Sequence, residues 1–253
     1  MAEQSLTHTE PAFLNIVIPC CNEEARIEKS IKKIIDFCNS RQYSFKIILV
    51  DDGSTDNTKI ILEKYKALYP DIISILYNQK NEGKGFSVKK GMLEADAEIA
   101  LFTDADLSTP IEDFEKLKVF LLEKNYDIAI GSRNIDKSPR KTAQGYIRSA
   151  MGKIFSYIVR FVMFPDIYDT QCGFKAFKKH CIKNIFKKQT IKGFGFDPEI
   201  LYLALKQGYR IHEVPVIWEN DSRSKVNIFK DPLKMMINLI ILWFKNGKTR
   251  NSG

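Results

Sequence analysis

The sequence lacks most of what marks a secreted, disulfide-built or membrane-spanning chain. It holds five cysteines in 253 residues (Cys20, Cys21, Cys38, Cys172, Cys181), an odd number with no CxxC pair. That excludes a cysteine scaffold and fits a reducing compartment. Residues 1–11 have no charged start followed by an apolar middle and a small-residue cleavage site, so a secretory signal is not expected and a cytoplasmic location is. No stretch reaches the ~20 consecutive apolar residues of a spanning helix. The longest apolar run, 235–244, is interrupted by Asn238 and is far shorter than that. A membrane partner would therefore be met at its surface, by peripheral association. Internal repeats and low-complexity linkers are also missing.

Acidic residues are the minority among the charges. Lys and Arg number 39 against 31 Asp and Glu, a net charge of +8. The excess favours anionic partners: nucleic acid, acidic lipid or phosphorylated substrates. The length allows one sizeable core, hence one catalytic domain.

From Phe13 to Gly131 short apolar runs alternate with amphipathic, helix-length segments. The runs are 14–18, 46–50, 72–77, 99–102 and 128–130, and helices are expected over 23–38, 56–68, 85–94 and 111–123. Such alternation specifies βα units and a mostly parallel sheet. Polar clusters follow three of the runs, at 19–24, 51–55 and 104–108. Ligands of open α/β sheets bind beyond the carboxyl ends of strands, so the three should converge on one site. Later come a helix over 146–164, a polar turn at 166–173, a strand at 174–177, a helix over 197–207, a strand at 212–218 and a helix over 232–244.

Asp104 and Asp106 end the fourth run. Two carboxylates in a turn suit Mg2+ or Mn2+, which take oxygen ligands from one or two carboxylates plus substrate phosphates. The plainer alternative is that they cap the next helix. In the segment Asp51-Asp52-Gly53-Ser54-Thr55-Asp56, Asp52 can accept from a base or ribose while its neighbours build a glycine turn. Asn81-Glu82-Gly83-Lys84-Gly85 opens a helix with free amides and a cation, fit for a phosphate or sugar hydroxyl or for a simple turn; the GxxxxGK[ST] spacing of a P-loop is absent.

These segments, with Ile18-Pro19-Cys20-Cys21-Asn22-Glu23 and Gly131-Ser132-Arg133, stand in the order and spacing of family 2 glycosyltransferases. The segments 169–175, 196–201 and Trp218-x-Glu-x3-Arg-Ser-Lys-Val resemble the dolichyl-phosphate glucosyltransferase branch, and the likeness runs from Phe13 to Val226. Mannose synthases of the family usually carry Gln two positions after the aspartate motif, where this chain has Ser108.

The resemblance implies a GT-A, Rossmann-like catalytic domain over 13–226, between a polar tail (1–12) and an amphipathic helix with a basic tail (227–253). It implies that Pro19, Asn22, Glu23, Asp52, Gly83 and Lys84 border the nucleotide and its phosphates. Asp104 and Asp106 would hold the metal, and Arg133, Gln171, Lys175, Arg223, Ser224 and Lys225 would face the donor diphosphate or acceptor phosphate. Asp197 and Glu199 fall at acidic acceptor-site positions. The implied reaction is inverting hexosyl transfer from a nucleotide sugar, UDP-glucose first and GDP-mannose second, to a polyprenyl or dolichyl phosphate.

A phosphate acceptor suits the composition. Its second pKa is about 6, so near neutrality it is a competent nucleophile without a base, and what the protein must supply is cations. Any one of Arg133, Lys175, Arg223 or Lys225 could equally be a solvated surface charge. Trp218, Phe174 and Phe177 read as core or groove wall. Helices 146–164 and 232–244 carry apolar faces beside basic residues, matching either an interfacial helix or packing on the sheet or within a homo-oligomer. A nucleic-acid-binding module is disfavoured, because carboxylate clusters at strand ends repel a phosphate backbone.

Overall fold

The computed structural model describes residues 12–133 and 167–219. The segments 146–164 and 232–244, the residues Arg223, Ser224 and Lys225 and most of the polar N-terminal tail lie outside the described residues.

Seven strands form one sheet: β1 Leu14–Cys20, β2 Phe45–Asp51, β3 Ile73–Tyr77, β4 Ile99–Thr103, β5 Ile128–Ser132, β6 Phe174–Lys178 and β7 Ile211–Pro215, in the order β3-β2-β1-β4-β6-β5-β7. Pairings are parallel except those of β6, which runs antiparallel to both β4 and β5. The helices are α1 Ile27–Ser40, α2 Thr58–Leu68, α3 Lys84–Glu94, α4 Phe114–Leu122, α5 Lys179–Phe186 and α6 Phe196–Lys206.

The central parallel strands β1, β2 and β4 read as nearly unbroken apolar runs because both faces are covered. In β1, Leu14, Ile16 and Ile18 join the core layer under α1, α2 and α4, while Val17 joins the layer under α3, α5 and α6. Fully burying such a side chain is worth about 1.5–3 kcal/mol, and a one-residue slip would exchange the two faces, so this alternation fixes the register. The one polar residue inside β1, buried Asn15, accepts from the amides of Asp96 and Ala97 at 2.7 and 2.9 Å and sets the entry into β4.

Four features differ from the sequence expectations. α1 starts at Ile27, not at residue 23, because residues 22–24 bond to the loop after β2. The helix expected over 111–123 opens with a 3-10 turn, Ile111–Asp113. β6 intrudes between β4 and β5, and α5, which no expectation covered, follows it directly. β7 ends at Pro215, well before Trp218.

Strand order reverses direction at β1, whose neighbours are β2 on one side and β4 on the other. The crevice beyond the carboxyl ends of β1 and β4 is the switch point at which such sheets bind ligands.

Candidate functional site

The loops after β1 and β2 are stitched together. Asn22, in a left-handed conformation (φ 54°), donates its amide to Ser54 Oγ (2.9 Å) and accepts at Oδ1 from the Thr55 amide (2.7 Å). The Glu23 amide donates to Thr58 Oγ1 at 2.7 Å, and its carboxylate pairs with Arg26, Nη2 to Oε1 at 3.0 Å. Pro19, half-buried near the end of β1, pairs in register with Val50.

Asp52 is buried and accepts from Asn78 Nδ2 (2.8 Å) and from the amides of Glu82 and Gly83 (both 2.9 Å). A carboxylate has about four acceptor positions, so three of them hold the loop and about one is left for a ligand. Gly83 adopts φ 104°, and a Cβ there would come within 2.6 Å of the Lys192 carbonyl oxygen. Only glycine satisfies both conditions.

This bend starts α3 at Lys84, whose Nζ reaches Asp104 Oδ1 at 2.5 Å. Burial alone would lower the pKa of this ammonium, but the charges of Asp104, Asp197 and Asp106 outweigh it and hold the pKa above its ordinary value.

β4 delivers Asp104 and Asp106 through a tight turn in which the Leu107 amide donates to the Asp104 carbonyl (3.1 Å) and Leu107 takes φ 48°. Asp106 Oδ1 accepts from both the amide and the hydroxyl of Ser108 at 2.9 Å, so Ser108 orients a carboxylate. Asp106 Oδ2 faces Arg26 Nη1 at 3.5 Å. Burial, followed by the neighbouring Asp104 charge, raises the Asp106 pKa. Gly173, just before β6, forms a wall on Asp104: a Cβ there would land on the carboxylate.

Two adjacent carboxylates at a strand end are suited to a divalent cation. Among the described residues no cluster of three or more His, Cys, Asp or Glu could hold a metal. A hard ion at Asp104 and Asp106 would therefore complete its shell with phosphate oxygens and water, as Mg2+ and Mn2+ do.

Charges beyond β5 are engaged differently. Arg133 grips Asp169 through Nε (2.7 Å), Nη2 (2.8 Å) and its own amide (2.9 Å), and lies 5.7 Å from the Trp218 ring centroid. Glu213 in β7 in turn accepts the amides of Tyr168 (2.7 Å) and Asp169 (2.6 Å). Gln171 is half-buried in the same turn, its amide 3.3 Å from Asp169 Oδ1.

Lys175, expected to face a phosphate, is fully buried in β6. Its Nζ donates to the Cys172 carbonyl (2.6 Å) and pairs closely with Asp197. Burial raises the Asp197 pKa, opposed by Lys175 and Lys84. Glu199, expected near the acceptor, is also fully buried; Oε1 accepts from the Thr190 amide (2.8 Å) and hydroxyl (2.7 Å), and Oε2 from the Ile191 amide (2.8 Å). We therefore assign Lys175 and Glu199 to positioning rather than ligand contact.

The sequence expectations passed over Arg26, Asn78 and Gly173 as site residues. Asn78 follows β3 directly, and the strand-end rule applied to every strand would have found it. No local signal marks Arg26 or Gly173.

Residues 15–186 match the profile of glycosyl transferase family 2. A dolichyl-phosphate beta-glucosyltransferase of Saccharomyces cerevisiae is 35% identical over 92% of this chain and 75% of its own length. One from Trichomonas vaginalis is 34% identical over 90% and 72%. A solved structure of glucosyl-3-phosphoglycerate synthase from Mycobacterium tuberculosis, with Mn2+, UDP and glucosyl-3-phosphoglycerate, is similar in fold at TM-score 0.66 and 19% identity, over 96% of this chain and 82% of that one.

Proposed function

Because the chain belongs to glycosyl transferase family 2, with a GT-A fold, we propose that it transfers glucose from UDP-glucose to a dolichyl or other polyprenyl phosphate, with inversion, at a membrane surface. The observation that carries this reading is the likeness, over nine tenths of the chain, to relatives named dolichyl-phosphate beta-glucosyltransferases. The geometry supports it through a carboxylate pair beside two cations at the switch point of the sheet.

In this reading the 19–24 and 51–58 loops, locked by Asn22 and Glu23, seat the nucleoside, with Pro19 on the floor and the remaining acceptor position of Asp52 facing it. Asp104 and Asp106 hold a divalent ion, Mg2+ or Mn2+. When bound, that ion supplies positive charge to the departing diphosphate. Lys84 and Arg26 add to the same field, which acts most strongly where water is excluded. Arg133, oriented by Asp169, presents its outer edge to the acceptor phosphate together with Gln171, and Arg223, Ser224 and Lys225 extend that clamp.

An oxygen of the acceptor phosphate forms the new bond to the anomeric carbon as the bond from that carbon to the donor diphosphate breaks; UDP leaves with the electron pair. No proton has to be removed, because the attacking phosphate is already largely a dianion near neutral pH. No carboxylate is needed as a base, which agrees with Asp197 being neutralised by Lys175. Segments 146–164 and 232–244 are proposed to lie on the bilayer from which the lipid acceptor is drawn. Among the described residues no helix is long and apolar enough to cross it.

The test offers the full chain UDP-glucose, other UDP-sugars and GDP-mannose in turn, with a short-chain polyprenyl phosphate and Mn2+ or Mg2+, and identifies products by mass spectrometry. Polyprenyl phosphate glucose from UDP-glucose is expected. A product from GDP-mannose alone, or transfer to soluble acceptors alone, overturns the assignment.

A further inference from the structure

Each of the two motif carboxylates turns one oxygen to a cation. In Asp104, Oδ2 lies against Gly173, where a Cβ would not fit, and Oδ1 bonds Lys84 Nζ at 2.5 Å. In Asp106, Oδ1 takes the amide and hydroxyl of Ser108, and Oδ2 faces Arg26. Two monocations thus stand against two carboxylates. A divalent ion using the same outward oxygens brings equal charge, and like charges at contact distance repel strongly in a partly buried site.

One monocation must then withdraw, and the two differ in how firmly they are held. Arg26 is fastened to Glu23 by two contacts. Lys84 is the first residue of α3, with a flexible four-carbon stem and a side chain 20% exposed. The other buried anion near it, Asp197, already has Lys175 as partner. The anion left for the ammonium is one that arrives with the ligand.

Building on the metal-site reading above, we infer that Lys84 is the resident counter-ion of Asp104 and surrenders that carboxylate to the metal when a nucleoside diphosphate supplies a replacement anion. Metal and nucleotide then bind as one coupled event, with Lys84 as the coupling residue. The coupling is reciprocal: each ligand tightens the other by the same factor.

The test measures Mn2+ binding to the full chain by electron paramagnetic resonance of the free ion, without and with UDP. Wild type is expected to bind Mn2+ weakly alone and roughly tenfold or more tightly with UDP. Lys84→Met should bind Mn2+ alone about tenfold more tightly than wild type and lose most of the UDP effect, within the usual range of coupling between sites. Lys84→Arg, which keeps the charge, should behave as wild type. Lys84→Gln replaces Lys84→Met if thermal melts show the latter unstable. Mn2+ binding to Lys84→Met no tighter than to wild type, with the UDP effect intact, overturns the counter-ion role and leaves the metal site standing. Equal Mn2+ binding by wild type and Asp104→Asn, even with UDP, removes the metal site and the inference together.

Discussion

Two carboxylates of the β1–β4 half, Asp52 and Asp106, are held mainly by amides, an asparagine and a hydroxyl, whereas two of the β5–β7 half, Asp169 and Asp197, are each closed by a cation. Asp52 is held by two amides and an asparagine, and Asp106 by an amide and a hydroxyl. Arg133 and Asp169, and Lys175 and Asp197, neutralise each other. Dipoles that orient a carboxylate leave its charge in place to act on a ligand. A full counter-charge cancels it. In the first half Asp104 and Asp106 stay partly exposed at the crevice although Lys84 and Arg26 face them, whereas in the second Asp169 and Asp197 are buried against their cations and build the wall.

The hardest test of this contrast is to unbalance the wall. Lys175→Met leaves Asp197 buried without its partner, and breaking such a pair costs about 3–5 kcal/mol. Denaturant unfolding should show a loss of that size. The double replacement Lys175→Met with Asp197→Leu should recover most of it, because no charge is then left unpaired. A single variant as stable as wild type would show that Asp197 is solvated or neutral.

In the other half the same chemistry should cost activity and leave stability alone. Asp104→Asn keeps the shape and removes the charge. Turnover should drop by roughly 10²–10³, the loss typical of removing one electrostatic group from a transition-state site. Its melting temperature should stay near that of wild type, because Asp104 is a third exposed and its partner Lys84 can turn to water. A collapse of stability would put Asp104 among the wall residues.

The two halves were not equally legible. The central parallel strands announce themselves because burial on both faces makes β1, β2 and β4 nearly continuous apolar runs, and the polar residues just after them are then the candidate site by position alone. Lys84 and Gly83 follow from a glycine-lysine turn opening a helix. What failed were inferences that needed to know which way a side chain points. Lys175 sits in a strand whose neighbours are both antiparallel, and no local pattern says that its ammonium turns inward to an aspartate 22 residues on. Glu199 in the first turn of α6 reads as an exposed acid, yet it caps the loop at residues 190–191. Gly173 matters only because β6 runs beside β4, a pairing between residues far apart in sequence.

Gly173 is also where the halves meet, so a methyl group placed there probes their fit. Its φ lies outside the left-handed region, so alanine is conformationally permitted, but the added Cβ would land on the Asp104 carboxylate. The carboxylate is expected to shift by about an ångström, and misplacement on that scale can cost on the order of 10²-fold in rate. Transfer should fall by that factor, with only a small change in thermal stability. Normal turnover in Gly173→Ala would mean that the wall yields and that the Asp104 position is not critical.

The smallest effect expected belongs to pH and separates the halves by sign. Buried Asp169 would by desolvation alone titrate above its ordinary value, but the charge and hydrogen bonds of Arg133 overcome this and hold its pKa below 3.8. Its unfolded pKa is therefore the higher of the two, and the unfolded chain binds the proton first on acidification. The stabilisation by this pair is complete above about pH 4 and declines as pH falls through the window below it, by at most about 1.4 kcal/mol per pH unit. Asp197 has the opposite sign: burial raises its pKa above 3.8 against the pull of Lys175 and Lys84, so its ionisation weakens folding as pH rises through the raised value. Unfolding free energies of Asp169→Asn and wild type, compared from pH 3 to 6, should converge toward the acid end. For Asp197→Asn the same comparison should change with the opposite sign, beginning as pH rises above 3.8. Parallel curves for both variants would mean that neither carboxyl changes its proton affinity on folding, and the wall would then owe its rigidity to packing rather than to paired charge.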